Sequence, residues 1–196
     1  MPNVNKPNGL RPVGHLLGLD WSGKARMYHI DSTDVNAFAI GDPVASSGEA
    51  DADGIPSVTL GAAGAPLRGV IVGIGTKEGS MFDPANLDSM IIPATKTKDY
   101  YVMVADDPFT IFEVQEIGTG TVLTAAAVGL NADLVAGTNN GYVSGWQLNN
   151  VGEAVTATLN CRILGLSRRP DNAFGQYAKY LVMINSHELK AGNVGI

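Results

Sequence analysis

Cysteine and histidine are the side chains most often used as nucleophiles and metal ligands, and the sequence contains four of them. They are Cys161, His15, His29 and His187. No two of the histidines have the spacing that puts a pair of metal ligands on one helix or strand. Cys161 falls on the inward side of a predicted strand, where we expect a buried and unreactive thiol. These residues predict neither a metal site nor a cysteine nucleophile.

Two glycine-containing stretches approach the patterns of nucleotide-binding loops. Residues 69–75 read GVIVGIG, but the third glycine of the dinucleotide-binding pattern comes one residue too late, and no amphipathic helix follows. Gly18 and Lys24 have the spacing of a phosphate-binding loop, but Ala25 stands where the pattern needs a hydroxyl for Mg²⁺. We therefore expect glycines at strand bulges and no nucleotide cofactor.

An acidic stretch at residues 49–54, with the sequence EADADG, resembles the beginning of a calcium-binding loop. The acid that should close such a loop falls at position 60, which is Leu60. We expect a solvated acidic turn here, and a weak cation site at Glu49 to Asp53 is the alternative. The other paired carboxylates, Asp106 with Asp107 and Glu113 with Glu116, are explained by a turn followed by a half-exposed strand.

No catalytic motif remains after these comparisons, so we predict that the protein is not an enzyme and uses no cofactor or metal. The composition argues against other functional classes. The chain has 196 residues, 45% of them hydrophobic, and a formal net charge of −6, which argues against a nucleic-acid-binding or polybasic membrane-surface protein. No apolar run reaches the length of a transmembrane helix, and the N-terminus lacks the apolar centre of a signal peptide. We expect folding in a reducing cytoplasm.

The elements that position these residues are predicted to be short β-strands. Only 16% of the residues are charged and 24 are glycine, which is typical of a turn-rich β protein and not of a helical bundle. Residues 99–105 and 109–117 form the clearest pair of strands, joined by Asp106, Asp107 and Pro108. Residues 121–134 suit either a short helix or a strand, and the sequence TNNG at 138–141 predicts a hairpin turn. The other predicted strands lie at 26–30, 37–40, 43–45, 57–60, 67–75, 142–148, 154–166 and 177–184.

The fold class predicted from this pattern is all-β, a sandwich or barrel-like antiparallel domain with little helix. Residues 1–25 are predicted to be an extended arm, because Pro2, Pro7 and Pro12 recur among glycine and asparagine and forbid a helix. Residues 26–196 then form a single β domain with long loops. An extended arm can add a strand to a neighbouring subunit.

Several stretches together resemble a family of tailed-bacteriophage virion structural proteins. They are residues 9–14 (GLRPVG), 23–28 (GKARMY), 41–44 (GDPV), 68–73 (RGVIVG), 98–108 (KDYYVMVADDP), 112–116 (FEVQE) and 163–172 (ILGLSRRPDN). The resemblance spans nearly the whole chain. It implies a non-enzymatic component of the phage head, most specifically a decoration or cement protein on the outside of the capsid.

The resemblance implies the major capsid protein and further copies of this chain as partners, and the head exterior as the location, with no direct contact to nucleic acid or membrane. The residues predicted to make these contacts lie in the arm, at its end and in one basic loop. They are Lys6, Arg11, Leu16, Leu17, Leu19, Trp21, Arg26, Arg168 and Arg169. The leucines and the tryptophan are equally suited to packing on the chain's own core.

Two alternative functions remain open at this point. One is another virion part, such as a tail-tube, head–tail connector or head-fibre-base protein. The other is a β-fold enzyme or carbohydrate-binding module with a dispersed site, which a cleft lined by acids and His29 or His187 would favour.

Overall fold

The protein is described by a computed structural model that covers residues 3–76 and 91–190. The described part of the chain contains short strands and one 3-10 helix, at Ala125–Ala127. The strands are β1 (Arg11–His15), β2 (Arg26–Ile30), β3 (Phe38–Ala39), β4 (Pro43–Ala50), β5 (Pro56–Leu60), β6 (Gly69–Thr76), β7 (Ile91–Ile92), β8 (Tyr100–Ala105), β9 (Thr110–Gln115), β10 (Asn131–Ala132), β11 (Leu134–Val135), β12 (Gln147–Leu148), β13 (Cys161–Leu166) and β14 (Lys179–Ile184). The predicted all-β fold class is confirmed.

The first half of the chain closes into a five-stranded barrel with the order β2-β5-β4-β6-β8. Its pairs are antiparallel except for β2 with β5, which run parallel. The barrel is filled by apolar side chains from each strand, among them Ile30, Val44, Val58, Ile71 and Val102. These β-branched residues suit a pleated surface that is buried on one face.

Four strands from the second half of the chain and β1 from its beginning form a five-stranded antiparallel sheet with the order β1-β9-β14-β13-β10. Strand β14 shows the expected alternation, because Tyr180, Val182 and Ile184 are buried while the residues between them are partly exposed. Both faces of β9 are buried, and the expectation of a half-exposed strand carrying Glu113 and Glu116 is wrong, since both side chains are buried. The sheet has its own apolar core, which also receives Leu67, Val70 and Ala105 from the barrel side. The barrel and the sheet therefore pack against each other.

The predicted pairing of residues 99–105 with 109–117 is wrong, although both strands form. Strand β8 belongs to the barrel and β9 to the sheet, so the turn between them carries the chain from one to the other. The buried carboxylate of Asp106 stabilises the turn between β8 and β9. It accepts a 2.7 Å hydrogen bond from the Tyr28 hydroxyl and lies 3.5 Å from the Arg26 guanidinium.

The predicted long strand at 154–166 is also wrong in its first half. Strand β13 begins only at Cys161. Val155, which would share the inward side with Cys161 in a continuous strand, is 86% exposed. The residues just before β13 form turns, and the buried Asn160 side chain bonds to the backbone of other segments: it accepts from Leu134 N of β11 and donates to Ala62 O and Ala65 O. The TNNG turn lies between β11 and β12, which pair antiparallel, but the strand after it is shorter than predicted.

The boundary predicted between an arm and a domain at residue 25 is not seen. Strand β1 pairs with β9 of the same chain, and Leu10 is buried in the sheet's core. Prolines exclude a helix, but they are compatible with an edge strand, where a missing N–H faces outward or lies at a bulge. Pro12 occupies such a position, since β1 is an edge of the sheet and its register shifts between Pro12 and Gly14.

Within residues 3–76 and 91–190, no helix has the length and hydrophobicity needed to cross a membrane.

Candidate interaction surface

The connection between β1 and β2 begins with a tight turn at residues 15–19, which we call the leucine turn. The His15 amide donates a 2.7 Å hydrogen bond to Leu19 O, and the Gly18 amide donates to His15 O. Gly18 has a φ of 85°, a backbone conformation that glycine adopts without strain. The loop is therefore a hydrogen-bonded hairpin with a defined shape.

The leucine turn exposes apolar side chains. Leu17 is 79% exposed, Leu19 67% and Leu16 49%, and the neighbouring Phe109 is 48% exposed. Phe109 lies beside the turn, since its carbonyl accepts from the Leu16 amide at 2.9 Å and its ring meets the His15 ring edge to face. Single exposed apolar residues are ordinary, whereas four of them grouped at one turn make this turn a candidate contact surface.

The base of the turn is fixed by His15 and Asp107. His15 Nε2 lies 3.1 Å from Asp107 Oδ2, and the Asp107 carboxylate also accepts from the Phe109 amide. Partial burial raises the pKa of Asp107, but these two contacts outweigh it, so its pKa lies below the ordinary value. The carboxylate is ionised at neutral pH and ties the leucine turn to the loop that presents Phe109.

A groove of about 690 Å³ lies beside this turn. Its walls come from both halves of the fold, with Leu10, Pro12 and Trp21 on one side and Ile40 and Val72 on the other. Trp21 is partly buried against the sheet's core, and its indole N–H is buried without a hydrogen-bond partner in the described structure. The leucine turn projects from the protein surface, and the groove next to it is recessed. Both present apolar side chains.

The predicted contact residues separate into two groups. Leu16, Leu17 and Leu19 point outward, whereas Trp21 packs on the chain's own core, so the two uses expected for these anchors are divided among them. Of the basic residues, Lys6, Arg11 and Arg26 are exposed. Lys6 and Arg11 lie at the sheet edge that borders the groove, and Arg26 lies on the barrel.

The basic loop at Arg168 and Arg169 is bound largely within its own chain. Arg169 Nη1 lies 3.2 Å from Glu113 Oε1, and its Nε lies 3.0 Å from Asp171 Oδ1. The hydrogen bonds from Arg169 lower the pKa of Asp171. Arg168 is exposed and lies far along the sequence from the leucine turn. The structure therefore gives no reason to place Arg169 in a contact with another molecule.

The residues considered for chemistry are mostly structural. Cys161 is fully buried, and burial raises its pKa, in agreement with the predicted inert thiol. In the acidic turn, Asp51 accepts hydrogen bonds from the amides of Asp53 and Ile55 and from the Tyr101 hydroxyl. These bonds shape the turn between β4 and β5.

One cluster was not predicted from the sequence. His29, Asp31 and Asp99 come together at one end of the barrel, with ligand-type atoms that all lie within 4.8 Å of one another. No linear motif could reveal it, because Asp99 lies 68 residues after Asp31. Asp99 immediately precedes β8 and is brought to the cluster by the pairing of β2 with β8.

Comparison with known protein families, with curated proteins and with solved structures finds no match for this chain.

Proposed function

We propose that this protein is a structural component of a tailed-bacteriophage head, a decoration protein that binds the outside of the capsid lattice through the leucine turn. The single observation that supports this most is the exposure of Leu16, Leu17 and Leu19 on a hairpin whose backbone is fixed by hydrogen bonds. The resemblance of its sequence motifs to phage virion proteins supplies the identity of the partner, the major capsid protein.

A fixed apolar projection suits attachment to a rigid partner. Because the turn is already ordered, binding costs little conformational entropy, and the exposed leucines gain by leaving water. Exposed Arg11 and Lys6 near the groove would meet acidic groups at the rim of the contact, where charges set orientation more than affinity.

Binding of many copies to the capsid lattice explains how a small contact per copy can be enough for attachment. A single turn and its groove bury less surface than a standard stable interface. Many copies bound to a symmetric shell link neighbouring capsid subunits, so modest single-site affinity is multiplied through avidity. The mechanism is stabilisation by contact, with no bond made or broken.

The experiment is co-sedimentation of the purified protein with phage heads assembled without it. We expect the wild-type protein to sediment with the heads and the double variant Leu17→Ser/Leu19→Ser to bind at least tenfold more weakly. Val35→Ser and Val155→Ser are matched controls, because these valines are 80% and 86% exposed and lie away from the turn. Far-UV circular dichroism confirms that each variant is folded.

Three results would overturn the proposal. Sedimentation with tails instead of heads would favour the tail-tube or connector alternative. Equal loss of binding in the valine controls would show that the leucine turn has no special part in attachment, and absence of binding to any virion part would remove the function itself.

A further inference from the structure

The cluster of His29, Asp31 and Asp99 lies where strands β2, β5 and β8 meet at one end of the barrel. Antiparallel pairing sets His29 opposite Tyr101 and Ile30 opposite Tyr100. Asp31 and Asp99 are the next residues outward, so both leave the strand pair at the same end. The cluster shares no residue with the leucine turn and has no part in the proposed attachment.

The imidazole of His29 is oriented by the barrel. Its Nδ1 lies 2.8 Å from Ser57 Oγ, the residue paired with it on β5, and its ring packs against Tyr101. When Nδ1 carries the proton, it donates a hydrogen bond to Ser57 Oγ, and the basic lone pair of the ring is on Nε2. A hydrogen bond to the far ring nitrogen is the usual way in which proteins orient a metal-binding histidine.

The Nε2 atom of His29 is buried and has no hydrogen-bond partner in the described structure. The side chain is only 4% exposed, and Nε2 points at the Asp99 carboxylate, with 3.6 Å between Nε2 and Oδ2. That distance is too long for a hydrogen bond. A buried polar atom without a partner is costly, so an atom of this kind aimed at a carboxylate points to a ligand-binding position.

The two carboxylates are held in place from outside the cluster. Asp99 Oδ1 accepts from the Ser32 amide at 3.0 Å, and Asp31 Oδ1 accepts from the Thr33 amide at 2.7 Å. The hydrogen bonds from Thr33 lower the pKa of Asp31, which keeps that carboxylate ionised. Each acid thus has an oxygen anchored by a backbone amide.

We propose that His29, Asp31 and Asp99 bind a divalent first-row transition ion such as Zn²⁺, with the remaining coordination positions filled by water. One imidazole nitrogen and two carboxylate oxygens form a ligand set that these ions accept, whereas Ca²⁺ and Mg²⁺ prefer oxygen alone. In a tetrahedral site, bonds of about 2.1 Å place neighbouring ligand atoms about 3.4 Å apart. The ligand atoms here already lie within 4.8 Å of one another, so small side-chain rotations bring them round an ion.

The test is isothermal titration of Zn²⁺ into tag-free protein, with Mg²⁺ and Ca²⁺ as comparisons. We expect one Zn²⁺ per chain, no comparable binding of Mg²⁺ or Ca²⁺, and a rise in melting temperature with Zn²⁺, because a ligand of the folded state stabilises it. Asp99→Asn should raise the dissociation constant at least tenfold. This variant keeps the oxygen that accepts from Ser32, and the Asp99 side chain is 48% exposed, so it should fold.

The controls separate this site from others on the chain. Asp53→Asn removes an exposed acid from the turn between β4 and β5 and should leave Zn²⁺ binding unchanged. His29→Gln should abolish binding, with Co²⁺ absorption in the visible range as a second readout of the lost imidazole. Absence of Zn²⁺ binding in the wild type, or equal binding by wild type and Asp99→Asn, would overturn the proposal; neither result affects attachment through the leucine turn.

Discussion

Arg68 and Glu188 form an ion pair that joins the barrel to the sheet. Arg68 Nε lies 2.8 Å from Glu188 Oε2, and their side chains are 18% and 5% exposed. The same carboxylate accepts from the amide and the hydroxyl of Ser46 on β4. Backbone hydrogen bonds join the same two segments: the Leu67 amide donates to Ser186 O, and the Glu188 amide donates to Leu67 O.

We expect Glu188→Ala to lower the free energy of unfolding by about 2 to 4 kcal/mol, because it leaves the Arg68 charge and the Ser46 donors without their acceptor in a buried place. Asp171→Ala is the control, since Asp171 also pairs with an arginine but is exposed, and it should change stability little. Urea denaturation of both variants measures the difference. Equal effects in the two would mean that the pair does not connect the halves of the fold.

Gly9 lies at a close crossing of three segments. It has a φ of 63°, and a Cβ at this position would lie 2.4 Å from the Gly41 carbonyl oxygen and 2.4 Å from Ser144 Cβ. We expect Gly9→Ala to cost about 2 to 4 kcal/mol, since it adds a steric clash to the strain of a left-handed residue. Gly54→Ala separates the two causes, because Gly54 has a φ of 80° and open space around it. It should cost about 1 kcal/mol; a similar loss in both variants would show that the crossing tolerates a methyl group.

The sequence predicts the strands far better than it predicts their partners. Strand β2 lies at the predicted residues, and most predicted strands overlap observed ones. The pairing of β8 with β9 was expected because adjacent strands usually pair. Instead, the bonds of Asp106 to Tyr28 and Arg26 separate the two strands, and these partners are about 80 residues away along the chain. Nothing in the local pattern records such contacts.

The candidate sites show the same limit. The leucines of the turn and Trp21 are predicted as contact residues from their type alone. That the leucines are exposed while Trp21 packs on the core depends on tertiary packing, which the sequence pattern does not show. The His29 cluster was missed because its acids are 68 residues apart and meet only through the register of β2 with β8. Alternation predicts which face of a strand is buried; it does not predict which side chains from other strands lie beside it.

The segment at residues 2–22 offers a prediction about folding. Because Leu10 is buried, β1 pairs with β9 and Trp21 packs on the core, we expect deletion of these residues to destabilise the whole sheet. The loss should appear as a lower melting temperature and exposure of apolar surface to a fluorescent dye, whereas Leu17→Ser should leave both unchanged. A truncated protein as stable as the wild type would show that the segment is separable from the domain.

Two buried groups give stability opposite dependences on pH. Burial is the main cause that lowers the pKa of His187 to about 4, with further lowering from Lys190 and Arg68 and a smaller opposing effect of Asp107. Burial also raises the pKa of Glu116 to about 7, which the hydrogen bond from the Leu123 amide only partly offsets. The Glu116 Oε1 atom is buried without a hydrogen-bond partner in the described structure, as suits a neutral acid.

Between about pH 4.5 and 6.5 the two effects cancel in the wild-type protein. As the pH falls through this range, His187 takes up a proton only when unfolded, which lowers stability. Below pH 7, Glu116 carries a proton in the folded protein. In the unfolded chain it takes up a proton only near pH 4.5. Glu116 therefore increases the free energy of unfolding as the pH falls from 7. Each group contributes about 3 kcal/mol over its full range, at 1.36 kcal/mol for each pH unit by which the folded and unfolded pKa values differ.

Single substitutions should therefore uncover opposite slopes. In Glu116→Gln, only the His187 effect remains, and the free energy of unfolding should fall as the pH is lowered from 7 to 4.5. In His187→Asn, whose side-chain oxygen can still accept from the Leu189 amide, it should rise over the same range. Urea denaturation at half-unit steps of pH measures both slopes, each at most about 1.4 kcal/mol per pH unit. The difference between the two variants removes contributions from the other acids, which are common to both. Parallel curves for the two variants would contradict the assignment, because they would mean that neither group changes its proton affinity on folding.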